Sequence, residues 1–111
     1  MDIESIRNFA LALDDVTESC PFGPEVIVFK VKDKIFLLLP LDTDKVQFNV
    51  KCDPDDAIEL REIYPESILP GYHMNKKHWN TVILNGQIHD EEVRHFIQNS
   101  HQLILRKSSK K

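Results

Sequence analysis

The sequence predicts an α+β fold, an antiparallel β-sheet with helices from the two ends of the chain packed on one face. Three observations predict it. Apolar residues recur at helical spacing near both termini and again at mid-chain. A β-rich stretch, Val26 to Leu41, and the alternating run from Val46 to Cys52 after it lie between the first two of these helical patterns. Short turn signals separate the apolar runs there, as in hairpins.

Each element has a local cause. Asp2 is placed to cap a first helix, with Glu4 favourable in its first turn. Ile3, Ile6, Phe9, Ala10 and Leu13 fall on one helical face. The pattern dissolves at Asp14-Asp15, and Pro21, Gly23 and Pro24 enforce a loop. Val26 to Val31 and Ile35 to Leu39 read as strands joined by a tight turn at Lys32-Asp33, since Asp tolerates unusual φ. Pro40 ends the second strand, and Asp42-Thr43-Asp44 turns the chain. Val46, Phe48, Val50 and Cys52 then alternate with Gln47, Asn49 and Lys51. This period of two predicts one buried and one wet face, hence a sheet covered on one side only.

Asp53-Pro54 opens a second helix as N-cap and first helical residue. Ala57, Leu60 and Ile63 or Tyr64 form its inner face, and Pro65 stops it. Ile68-Leu69 is a short apolar run. Trp79 to Leu84 reads as a further strand, closed by a turn at Asn85-Gly86. Asp90 is expected to cap the last helix, whose inner face carries Val93, Phe96, Ile97, Ser100 and Ile104. Arg106 and Lys107 suit its C-terminal dipole, and the polar tail from Lys107 is expected to fray. The order is helix, three strands, helix, one or two strands, helix. With no repeat, low-complexity tract or long linker, residues 1–111 read as one domain.

Composition narrows the function classes. The 111 residues are 41% hydrophobic and 29% charged, ordinary for a soluble domain. No run approaches the roughly 18 apolar residues of a membrane span, and the acidic N-terminus lacks a signal-peptide pattern. A cytoplasmic protein is expected, with no membrane partner. The net charge of −4 runs against a generally basic nucleic-acid binder. Its distribution matters more. Acidic residues concentrate at the start and around the middle helix, whereas lysines gather at 30 to 34, at 76 to 77 and at the C-terminus, as in a dipolar molecule with one basic face.

Cys20 and Cys52 form no Cys-x-x-Cys and are expected to be free thiols. By alternation Cys52 points inward, so it reads as an inert, packed thiol, and no histidine can be assigned to Cys20 as a catalytic partner. The histidine spacings, five between His73 and His78 and six from His89 to His95 to His101, do not set two ligands on one face. Asp14, Asp15 and Glu18 are too sparse for a carboxylate metal ridge. Neither a Gly-rich phosphate loop nor Gly-x-Ser-x-Gly occurs. No metal, cofactor or enzymatic activity is expected.

The densest segment is Pro70-Gly71-Tyr72-His73-Met74-Asn75-Lys76-Lys77-His78-Trp79-Asn80-Thr81-Val82. Its cations interleave with aromatic rings, so it can be a platform in which lysines neutralise phosphates, a ring stacks a base and asparagine reads an edge. Equally, Trp79 can be core, His78 and Asn80 can satisfy backbone groups at a bend, and the lysines can solvate a loop.

Phe22-Gly23-Pro24-Glu25, Val28-Phe29-Lys30-Val31 and Lys34-Ile35-Phe36, then Lys51-Cys52-Asp53-Pro54 and Leu60-Arg61, together with the Lys76-Lys77-His78-Trp79-Asn80 core and the late Ser100 and Leu103, resemble the MmcQ/YjbR family over nearly the whole chain. Where many of its members carry glycine in the first hairpin turn, this chain has Lys32-Asp33. The resemblance implies a fold related to the CyaY-like (frataxin) sandwich and a double-wing DNA-binding role.

The leading expectation is a small DNA-binding or regulatory protein. Lys30, Lys34, Lys51, Lys76 and Lys77 would contact phosphates, and Asn49, Tyr72, His73, His78, Trp79 and Asn80 would stack or hydrogen-bond. The alternatives are a protein-interaction module working through the acidic helices, and a binder of a small anion at His73, Lys76 and Trp79.

Overall fold

The structure, a computed structural model, describes residues 1–71 and 74–109. Chain order is α1 (Ile3–Leu11), β1 (Val16–Ser19), β2 (Val26–Val31), β3 (Lys34–Pro40), β4 (Gln47–Lys51), α2 (Pro54–Ile63), β5 (Ile68–Pro70), β6 (Trp79–Ile83) and α3 (Asp90–Ser109). The strands form one antiparallel six-stranded sheet in the order β1-β2-β3-β4-β6-β5. The helices lie on one face, as the sequence predicts. Ile6 and Ala10 of α1 and Val93, Ile97 and Ile104 of α3 share a buried cluster with Phe29, Phe48, Val50 and Val82 of the sheet. Each such large side chain contributes about 1.5–3 kcal/mol through burial.

The start signals act largely as read. The Asp2 carboxylate accepts from Ser5 N–H at 2.8 Å, and that of Asp53 accepts from Asp55 N–H at 3.0 Å ahead of Pro54. Lys32 and Asp33 make the β2–β3 turn with φ of 54° and 63°. On β4, Phe48 and Val50 enter the helix-side core, leaving Gln47, Asn49 and Lys51 on the other face.

Four features differ from expectation. The segment after α1 turns at Asp15, with φ 60°, and pairs as β1 along β2. Phe36 is an extra residue on β3, because Phe29 pairs with Leu37 and Lys30 with Ile35. This bulge lets the adjacent Phe36 and Leu37 both enter the main core. The α3 cap is His89, not Asp90. The His89 carbonyl accepts from Glu92 and Val93 N–H, and Glu92 Oε1 accepts from His89 N–H at 3.3 Å. The Asp90 side chain instead holds the Met1 ammonium at 2.9 Å. Finally, α3 runs to Ser109, into the stretch expected to fray.

The sheet is also not bare on its outer face. Val28, Leu38 and Trp79 are buried there, with Val26, Ile35 and Met74 packed against them. Strands β2 and β3 are apolar on both faces, so the segment carrying Met74 and Trp79 folds over the outer one.

Candidate nucleic-acid interface

Register gathers the predicted lysines at one end of the sheet. Val31 pairs with Lys34 and Lys30 with Ile35 beside the β2–β3 turn. Leu37 opposite Val50 places Lys51 toward that same end, and Lys51 pairs with Trp79 at the start of β6. The turn that carries Lys76 and Lys77 leads directly into Trp79. Lys34, Lys76 and Lys77 are exposed, and Lys30 and Lys51 are half-buried.

The outer face is built row by row. Ser19, Val28, Leu38, Asn49, Thr81 and Leu69 are successive partners across all six strands. Thr81 Oγ1 donates to Asn49 Oδ1, tying that polar pair down. The strand positions of this face, alternating with the helix-side core, hold no carboxylate. Asp33 sits at the tip of the hairpin beside the lysines. The helix layer is the opposite in sign, with Asp55, Asp56, Glu59 and Glu62 exposed on α2. Charge is thus segregated between the two layers.

The lysine-bearing turn is held by its backbone. Asn75 Oδ1 accepts from Lys77 N–H at 2.9 Å, an Asx turn, while the Asn75 carbonyl accepts from His78 and Trp79 N–H at 3.2 and 3.0 Å. Lys76 and Lys77 are both exposed on this turn.

The aromatic part of the motif does other work. Trp79 is 8% exposed within the outer-face cluster, so it offers no free ring for a base. Asn80 is fully buried. Its Oδ1 accepts from Arg61 Nε at 2.7 Å, and its Nδ2 donates to the Ala57 carbonyl at 3.3 Å. Trp79 and Asn80 thus follow the packing reading, and the expectation that they stack and read a base is corrected by their burial. His78 is half-buried, and its carbonyl accepts from Cys52 N–H at 2.7 Å. Tyr72 and His73 lie outside the described residues.

Arg61 is the residue that sequence reasoning missed. From α2 it donates to Asn80, to the Lys76 carbonyl and, at 3.3 Å, to the Trp79 carbonyl. The available signal was a lone cation in the last turn of a helix otherwise rich in carboxylates. Gly71 completes the clamp. Its N–H donates to the Trp79 carbonyl at 2.9 Å, and a Cβ there would sit 2.7 Å from Trp79 Cβ.

The remaining chemistry is sparse. Burial, reinforced by the Asp56 carboxylate, pushes the Cys52 thiol up to about 12, which keeps it protonated and unreactive. Cys20 is an exposed free thiol. Among the described residues, no three His, Cys, Asp or Glu side chains gather in a metal-binding arrangement, and no helix is long and apolar enough to cross a membrane. Two adjoining clefts open between α2 and α3, and Trp79 lines neither.

The fold and this motif are those of a known class. The YjbR family model matches residues 11–103, and the chain belongs to that family. It is 41% identical over 102 residues to YbdF, an uncharacterized protein of Escherichia coli O157:H7, covering 92% of this chain and 83% of that protein. It is 26% identical to the uncharacterized YjbR of E. coli K12, over 92% of this chain and 86% of that protein. Among solved structures, the Deinococcus radiodurans protein DR2400, a DUF419 domain, superposes with a TM-score of 0.91 at 35% identity, covering 98% of this chain and 82% of that one. A Pseudomonas syringae protein superposes with a TM-score of 0.77 at 29% identity, covering 93% and 98%.

Proposed function

We propose that this protein is a cytoplasmic nucleic-acid-binding module, not an enzyme, that grips phosphates with one end of its outer sheet face. The observation that carries the reading is the register-driven gathering of Lys30, Lys34, Lys51, Lys76 and Lys77 at one end of the sheet, where Lys30 and Lys51 lie on an outer face whose strands hold no carboxylate and Lys34 pairs with Val31 on the helix side. Phosphate contacts position a protein without reading sequence. With Trp79 and Asn80 committed to packing, the binding is weak and largely sequence-independent.

The test is fluorescence anisotropy of labelled duplex and single-stranded oligonucleotides over a salt series. About four phosphate contacts give a log–log salt slope near −3.6 on duplex DNA. A Lys76→Ala, Lys77→Ala double variant removes two contacts and flattens the slope by about 1.8. Flat anisotropy at low salt, or a slope indifferent to the double variant, would sink the proposal.

A second reading rests on α2. Ile58 and Ile63 are 54% and 56% exposed among its carboxylates, a composition that suits a protein partner. In that case Ile58→Ser abolishes capture by the partner while the salt slope on DNA stays absent.

A further inference from the structure

Helices α2 and α3 run antiparallel. The Tyr64 hydroxyl at the end of α2 donates to Glu92 in the first turn of α3, while Asp53 and Arg106 at the opposite ends line a common cleft. Between these ends the helices part. The cleft near the α2 N-terminus measures about 230 Å³, and a second of about 250 Å³ adjoins it, sharing Asp56, Leu60, Phe96 and Asn99. Leu60, Phe96, Leu103 and Cys52 supply the apolar part of the lining. Asp56 stands on the α2 wall, and Asn99 and Arg106 stand on the α3 wall. Among the described residues neither Asp56 nor Arg106 has an ion-pair partner.

We propose that this groove binds a small zwitterion with an apolar body, of which a free apolar amino acid is the simplest. Asp56 takes the ammonium, Arg106 and Asn99 take the carboxylate, and the body lies on Leu60, Phe96 and Leu103. Lys51 and Asp53 also line the cleft, Asp53 being engaged as the α2 cap. Asp56 and Arg106, of opposite sign on facing walls, match a ligand that carries both charges, because a molecule with only one leaves the other wall unpaired. The cleft that holds Arg106 and Leu103, about 230 Å³, lies below the roughly 300 Å³ at which drug-sized sites begin, which suits a small molecule. Cys52 stays a neutral thiol, so it adds neither charge nor a nucleophile. The carboxylates of α2 disfavour a polyanion, so the groove and the phosphate-binding face are distinct sites that share Lys51.

The test is amide chemical-shift titration of the full ¹⁵N-labelled chain with phenylalanine, leucine, phenethylamine and phenylpropionate. Phenylalanine and leucine shift the amides of Cys52, Asp56, Leu60, Phe96 and Asn99 saturably at millimolar concentration. Each single-charge analogue binds about tenfold more weakly, as expected for losing one charged hydrogen-bonding partner. Asp56→Asn weakens phenylalanine and phenethylamine but leaves phenylpropionate unchanged, and Arg106→Gln does the reverse. Both substituted residues are exposed, and the same spectra report whether each variant is folded. The proposal is overturned if neither amino acid gives saturable shifts at these amides. It is equally overturned if the single-charge analogues match phenylalanine, or if the two variants fail to show opposite preferences.

Discussion

Asn80, buried at the start of β6, accepts a hydrogen bond from Arg61 of α2 at 2.7 Å. This bond joins the helix layer to the strand that follows the lysine turn. Asn80→Ala removes it together with the bond to the Ala57 carbonyl and leaves buried partners unmet, a loss of about 2–3 kcal/mol. Arg61→Lys loses less, because an ammonium keeps the charge and can donate to one of these acceptors, although it cannot reproduce the guanidinium fork. Urea unfolding followed by circular dichroism measures both, and an unchanged Asn80→Ala midpoint would show that the latch contributes nothing.

Gly71 is glycine for room rather than for backbone freedom. An added Cβ would meet Trp79 Cβ at 2.7 Å and the Trp79 carbonyl oxygen at 3.1 Å, both parts of β6 that cannot swing aside. Gly71→Ala is expected to cost about 1–3 kcal/mol, as overpacking does. The check is thermal unfolding, and a variant as stable as the parent would refute this account of the position.

Lys32 and Asp33 both hold left-handed backbone, which costs a non-glycine residue about 1–2 kcal/mol. Asp33→Gly relieves that strain in the two-residue turn and should stabilise the protein by about 1 kcal/mol. It also removes a carboxylate next to Lys34. If the lysine end is the phosphate site, the same variant binds duplex DNA more tightly at low salt. Stability and anisotropy measured on one preparation read out both effects.

Arg7 Nε donates to Glu18 Oε1 at 2.7 Å, joining α1 to β1. That hydrogen bond holds the Glu18 carboxyl below its ordinary value of 4.5. The folded-state pKa is depressed, so the stabilisation is complete above about pH 4.5 and is lost as pH falls through the lower folded value. Glu18→Gln should therefore lower Tm near neutrality and show a shallower fall of Tm on acidification. Parallel Tm–pH curves for variant and parent would contradict this.

Much of the fold is legible locally. The Asp2 cap, the Asp53-Pro54 start, the Lys32-Asp33 turn and the alternation through Phe48 and Val50 each act through neighbours in sequence. What escapes is decided at long range. β1 is the mostly polar run Val16-Thr17-Glu18-Ser19, which becomes a strand by pairing with β2. Asp90 is by type the better cap than His89, but the Glu92 carboxylate reaching back selects His89. The lysines of the candidate site were readable as cations, and their convergence follows from strand order. Alternation sets Trp79 on the outer face opposite Lys51, where a strand pattern alone would leave it wet. Its burial depends on the close approach of Gly71 and on the fold-over of Met74, which no local pattern encodes.

Strand order carries one more consequence. β6 is the last strand in the chain, yet it sits inside the sheet, between β4 and β5. On a ribosome that releases the chain from its N-terminus, β4 waits with one flank unpaired until Trp79–Ile83 emerges. A nascent or clipped chain ending before Trp79 thus offers Gln47–Lys51 as a docking rail for any stray extended peptide. Insertion of the final strand is what closes that flank, leaving β1 and β5 as the sheet edges.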